Sequence, residues 1–226
     1  MLSTIKRFYI LLRKDLRTEI LTAESLTLTL AIATLTVALV SYAIEAAFIA
    51  PDIRLKLFPS LIWVIFLFVA TVQAERGFDH EAQHQAYQGL LLAGVKPAEM
   101  YLARTICLAL RNIAAFFLLT WLLSYLMGIQ RLVTPIPLTL LASPGIISYS
   151  ALSSLLSVII NKAQARSLVL PLIMLPLLFP VLAGSIELAH TTLTHAPSQT
   201  WLYLESALAI FFLSLGTCLY GAAMGK

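Results

Sequence analysis

Apolar residues gather in six long runs, at about residues 26–48, 57–74, 102–128, 143–160, 168–188 and 201–223, and most charges fall between them. Runs of this length predict membrane-spanning helices, because about 20 residues at about 1.5 Å each cross a hydrocarbon core of about 30 Å. A helix closes its backbone hydrogen bonds within one segment, which lipid requires. Ahead of the first run the pattern is different. Ile5, Phe8, Tyr9, Leu12, Leu16 and Ile20 share one side of a helical wheel, and Lys6, Arg7, Arg13, Lys14 and Arg17 occupy a neighbouring arc. Residues 1–24 are therefore expected to form an interfacial amphipathic helix with its cations at anionic lipid head groups. Asp15, Glu19 and Glu24 precede the first run, so this segment does not read as a cleavable signal.

Composition agrees with the pattern. Of 226 residues, 60% are hydrophobic and 12% charged, with a mean hydropathy of +0.90; a soluble domain has about 25% charged residues, so a water-soluble fold is excluded. The whole chain is expected to be one transmembrane domain, with no room for a separate catalytic domain. Cys107 and Cys218 lie in apolar runs and form no CxxC, so neither a disulfide framework nor a thiol redox motif is suggested. Six spans put both termini on one side. That side, with the second and fourth connections, carries 11 of the 15 Lys and Arg; Arg54, Lys56 and Arg131 lie opposite and Arg111 lies within a span. The positive-inside rule makes the richer side cytoplasmic.

Three spans have distinctive chemistry. The fourth carries Ser143, Gly145, Ser150, Ala151, Ser153, Ser154 and Ser157, small residues that let helix backbones approach closely. The fifth holds Pro171, Pro176 and Pro180, each removing a backbone donor, so a kinked helix is expected. In the sixth, Thr217, Gly221 and Gly225 form a small-xxx-small row for close contact within the chain or between protomers.

The most informative connection runs from Ala74 to Leu92. Phe78, Ala82, Ala86 and Leu90 recur every four residues, opposed by His80, Glu81, Gln83, His84 and Gln88, which predicts a short cytoplasmic amphipathic helix over residues 75–92. Gly94 and Pro97 then stop one helix and start the next. Gly89 and Gly94 have the spacing of a P-loop, but Val95, Lys96 and Pro97 stand where Lys and then Ser or Thr are needed. The chain has no nucleotide site of its own. His80 and His84 lack both an HExxH pattern and an acidic third ligand, so no metal site is expected there.

The run Pro59-Ser60-Leu61-Ile62-Trp63-Val64, then Ala74-Glu75-Arg76-x-Phe78 opening a cytoplasmic helix, then Leu102-Ala103-Arg104 and Leu168-Val169-Leu170-Pro171-Leu172, resembles the CcmB family, haem exporter protein B. The resemblance covers essentially the whole chain. It departs at residues 84–88, where His-Gln-Ala-Tyr-Gln replaces the usual Asp-Gly-x-Leu-Glu, and Arg111 matches no family position.

The resemblance implies an ABC-2-type permease fold in the bacterial inner membrane: six transmembrane helices, an N-terminal interfacial helix and a cytoplasmic coupling helix. It implies a non-catalytic permease subunit of the cytochrome c maturation transporter, coupling a partner's ATP hydrolysis to haem delivery or to release of the haem-loaded chaperone. The implied partners are a CcmA-like ATP-binding cassette subunit, a CcmC-like haem-handling membrane subunit, a CcmD-like single-span subunit and a CcmE-like haem chaperone. A pair of permease copies and surrounding lipid are also expected, and no nucleic acid. No cofactor is expected on this chain: the resemblance implies ATP on the partner and haem as a transported or relayed ligand. Glu75, Arg76, Phe78, Asp79, Ala82 and Leu90 are the expected ATPase-coupling residues, with Phe78 and Leu90 as apolar anchors.

On the outer side, His190 and His195 are candidate haem ligands. They lack a CxxCH motif and lie among Thr191, Thr192, Thr194, Pro197 and Ser198, the composition of a solvated loop. Glu187 and Glu205 read as interfacial or snorkelling groups. Two rival classes are weaker. No internal repeat supports a secondary transporter, and the serines of the fourth span have no intramembrane histidine to serve a hydrolase. Another ABC-2-type export permease is the nearer alternative.

Overall fold

A computed structural model describes residues 11–13, 23–83, 94–160, 166–194 and 199–223. Six long helices account for nearly all of them: α1 (Ala23–Ala46), α2 (Pro51–Gln83), α3 (Pro97–Leu126), α4 (Pro135–Ile160), α5 (Arg166–Leu193) and α6 (Gln199–Ala223). Each coincides with one apolar run. By length and composition five can cross a membrane: Pro51–Ala74 in α2, Pro97–Leu126, Pro135–Val158, Pro176–Leu193 and Gln199–Ala222. In α1 the apolar stretch is shorter, Leu30–Ala46.

The small residues of α4 put it at the centre. Of its most apolar window 78% is buried, against 22–44% for the other four spans, and it packs on α3, α5 and α6. Ser148, Ser150, Ser153, Ser154 and Ser157 are all buried. Lipid meets instead the large apolar side chains of the outer helices, such as Leu35, Leu39, Phe68, Phe179, Ile210 and Phe211. Pro144 interrupts α4 chemically without breaking it. Its ring nitrogen offers no proton to the Leu140 carbonyl, and the Ser143 hydroxyl donates there at 2.7 Å.

At one end of the bundle, α3 stops in a Schellman motif. Gly128 takes φ +72°, its N–H reaches the Tyr125 carbonyl at 3.1 Å, and that of Ile129 reaches Ser124 at 3.0 Å. Arg54 ties this end to the start of α2, donating from Nε to the Ile49 carbonyl at 2.7 Å and from Nη1 to the Met127 carbonyl at 3.1 Å. A cation is favoured there because the carbonyls at a helix C-terminus are electron-rich.

One expectation changes. The cytoplasmic segment is not a separate helix at its start: α2 continues unbroken from Pro51 to Gln83, which at about 1.5 Å per residue makes it about 50 Å long, well beyond a hydrocarbon core. Residues 75–83 hold no proline, and Glu75, Arg76, Glu81, Ala82 and Gln83 favour a helix enough to carry it past Gly77, so the helix does not stop at Ala74. In α5 the helix runs on through Pro171, Pro176 and Pro180, with Pro176 and Pro180 exposed. Of the expected interfacial helix, residues 11–13 are helical; Leu11 is buried and the Leu12 carbonyl accepts from Cys107 Sγ at 3.7 Å, so this turn rests on α3. The rest of residues 1–22, together with 84–93, lies outside the described residues.

Candidate functional site

All but one of the expected coupling residues fall on the last turns of α2. Ala74 is buried, and Glu75, Arg76, Phe78, Asp79 and Ala82 follow on the nine helical residues that end at Gln83. Helical register puts positions 75, 78, 79 and 82 on one face, the i, i+3, i+4, i+7 pattern with which a helix meets a groove. Leu90 lies outside the described residues. Directly before these turns Gln73 is buried, and among the described residues neither its Oε1 nor its Nε2 has a hydrogen-bond partner.

The same end of the bundle is held by Tyr101. Its ring stacks obliquely on Tyr220 with centroids 5.3 Å apart, and its hydroxyl lies 3.2 Å from the carbonyls of both Ala151 and Phe212. One side chain of α3 thereby bridges α4 and α6. Gly216 makes this possible, since a Cβ there would fall on the Tyr101 ring. Gly221, in the small-residue row, faces Pro97 of the same chain at ordinary contact distance, 3.7 Å; Gly225 lies outside the described residues. Midway along α3, Asn112 Nδ2 donates to Ser150 Oγ at 3.1 Å, and that hydroxyl donates to the Ile146 carbonyl at 2.8 Å.

Toward the other end an aromatic cluster joins α2, α3 and α4. Trp63 meets Phe66 and Phe116 with centroids 5.4 and 5.2 Å apart, and Phe66 meets Phe116 and Tyr149 at 5.5 and 5.6 Å. Beside it, Glu205 of α6 is fully buried. This corrects the snorkelling assignment: the carboxyl turns inward onto Gly145 and Gly184, because two glycines leave it room between the helices.

Of the two outer histidines, His190 is half-buried in the last turn of α5, and His195 lies outside the described residues. The threonines around His190 serve the helix end: Thr192 Oγ1 donates to the Leu188 carbonyl at 2.7 Å and Thr194 Oγ1 to the His190 carbonyl at 2.9 Å. Among the described residues, no group of three or more His, Cys, Asp or Glu could hold a metal ion.

These features define a polytopic all-helical membrane protein built around a small-residue helix, with one helix that runs on past its apolar stretch. Residues 6–225 match the family model described as CcmB protein, and the chain belongs to that family. It is accordingly a multi-pass inner-membrane permease subunit of the ABC transporter for cytochrome c maturation, which works with an ATPase partner. Comparison with curated proteins gave no match.

Sequence reasoning missed Tyr101, Gly216 and Gln73. A tyrosine or a glycine within an apolar run carries no local mark of the neighbour it meets. Gln73, a polar residue one position from the end of a run, is the one of the three that the sequence marks.

Proposed function

We propose that the chain converts ATP hydrolysis by a bound cassette subunit into a movement of its helices that delivers haem or releases the haem-loaded chaperone. The family match over residues 6–225 carries this reading. The extension of α2 supports its mechanical part, because a continuous helix transmits a displacement from a docked groove into the bundle without loss at a hinge. Haem is cargo of the complex, not a resident cofactor of this chain, and contact through His190 and His195 belongs to the same proposal. All six helices span the membrane, with both termini and residues 75–100 in the cytoplasm, as 11 cytoplasmic basic residues against 3 outside imply.

Affinity purification of the tagged chain from its native membrane is expected to bring down an ATP-binding cassette subunit in stoichiometric amount, whereas the chain purified alone hydrolyses no ATP. Turnover that depends on residues of this chain would contradict the permease reading. Orientation is checked separately by cysteine labelling with an impermeant reagent. A cysteine placed at His195 should react from outside and one at Gln83 should not; the reverse would invert the topology.

A further inference from the structure

Glu205 is the single charged residue of α6, and α4, against which it packs, contains none. Its carboxyl lies where three helices converge. A Cβ at Gly145 of α4 would come 3.1 Å from Glu205 Oε2 and 3.0 Å from Trp63 Cη2 of α2, and would collide with Ser185 Oγ of α5. At Gly184 of α5 a Cβ would collide with Glu205 Oε1. The packing is tight on every side, yet the carboxyl is poorly satisfied. Ser185 Oγ lies beside it as its one polar neighbour, and among the described residues neither Glu205 oxygen makes a well-formed hydrogen bond. Buried polar groups are nearly always bonded, so a fully buried carboxyl with so little support requires a reason. An ionisable residue enclosed in a bundle marks function more often than architecture.

Among the described residues, the surrounding charges offer no counter-ion. On α3, Arg104 and Arg111 have interactions of their own, and Glu99 stands in the first turn at the opposite end. Tyr101 and Tyr220 pack on each other toward that end too. On α5, His190 and Glu187 lie nearer the helix terminus than Ser185, and on α2 Asp52, Arg54 and Lys56 lie two or more turns before Trp63. Glu205 itself is six residues, about 9 Å, from the start of α6. The site is thus close to the end of the bundle where α5 and α6 are joined.

We propose that Glu205, with Ser185 and Trp63 beside it, is a proton-binding site in a movable seam between α4, α5 and α6. With the seam shut, as here, the carboxyl carries its proton and the glycines seal around it. When α5 parts from α4 and α6, water enters from the outer face, the O–H bond of the carboxyl breaks, and the proton passes to that water. The carboxylate and the Ser185 hydroxyl are then hydrated. Closure takes a proton back. The glycines at 145 and 184 fit such a seam, since they permit close approach without interlocking side chains that would have to be withdrawn. That opening is driven by nucleotide rests on the function proposed above; the proton site itself does not.

The test has three arms. In membranes holding the intact chain, dicyclohexylcarbodiimide, which attacks protonated carboxyls in apolar surroundings, is expected at neutral pH to modify Glu205 more than tenfold over exposed Glu45, as read by mass spectrometry. Equal or no modification of Glu205 overturns the proton site. In the complex with its ATPase, S185C in a chain carrying C107A and C218A should react with an impermeant methanethiosulfonate at least tenfold faster in the ATP-trapped state than without nucleotide. Equal rates in a complex that still hydrolyses ATP overturn the moving seam and leave the coupling reading standing; failure of the wild-type chain to bind any ATPase overturns the coupling reading and leaves the carbodiimide result to decide the site. Finally, E205Q keeps the shape and removes the proton, so it should assemble normally but flatten the pH dependence of the coupled ATPase. A profile identical to wild type would refute the assignment.

Discussion

Gly216→Val is expected to unfold or misassemble the chain at temperatures the wild type withstands, whereas Gly221→Ala, five residues further along α6, is expected to be nearly silent. At 216 the new side chain would occupy the space of the Tyr101 ring, and the ring cannot retreat without withdrawing its hydroxyl from the Ala151 and Phe212 carbonyls. Overpacking of a filled core costs about 1–3 kcal/mol, and losing a buried hydrogen bond adds about 1 kcal/mol. The total is about 2–4 kcal/mol, a large part of the stability of a small domain. At 221 the nearest atoms to an added Cβ are those of Pro97 at 3.7 and 3.8 Å, an ordinary contact. The measurement is the temperature at which the detergent-solubilised monomer peak is lost. Tyr101→Ala combined with Gly216→Val should recover part of the loss, because the ring no longer competes for the space; strict additivity would show that the two residues do not meet.

The second large effect is expected at Trp63. Trp63→Ala removes the side chain that touches Phe66 and Phe116 and lies against Gly145, so three helices lose contact together. In lipid the loss is of dispersion contacts more than of water-driven burial. Deleting a buried aromatic from a packed core costs about 3–5 kcal/mol. Trp63→Phe keeps part of the packing and should lose less than half as much. A fall in melting temperature no greater than that of Trp121→Ala, whose side chain is half exposed and stacked on Tyr125 alone, would contradict the cluster's role.

What could be read from the sequence follows from which interactions are local. The six apolar runs mark the helices because membrane insertion depends on summed hydropathy, and the serines and glycine of α4 foretell its central place because small side chains have one general use in lipid. The end of α2 was placed at Ala74 because hydropathy stops there, whereas helix hydrogen bonding continues to Gln83; polarity marks the edge of the bilayer, not of the helix. By sequence Glu205 reads as a snorkelling residue because it stands near the start of a span. Its burial is decided by Gly145 and Gly184 on two other helices, a fact of tertiary packing that no local pattern carries. The same holds for the small-residue row at 217, 221 and 225, which pointed to the right helix but not to Gly216, where the closest approach occurs. At the coupling end the sequence gives residue types and register, and the structure adds that Glu75, Arg76, Phe78, Asp79 and Ala82 ride on a helix continuous with the membrane span.

That continuity makes Phe78 the place to test whether the chain is driven by an ATPase docked on α2. Phe78→Asp puts a charge at an apolar anchor whose burial contributes about 1.5–3 kcal/mol, an energy equivalent to a loss of affinity of about 10- to 100-fold. Co-purification of the cassette subunit with the tagged variant, measured beside cytochrome c maturation and membrane insertion in the same cells, decides the matter. The account predicts normal insertion, a cassette yield reduced at least tenfold and no mature cytochrome c. Wild-type recovery of the cassette subunit together with normal maturation would contradict it.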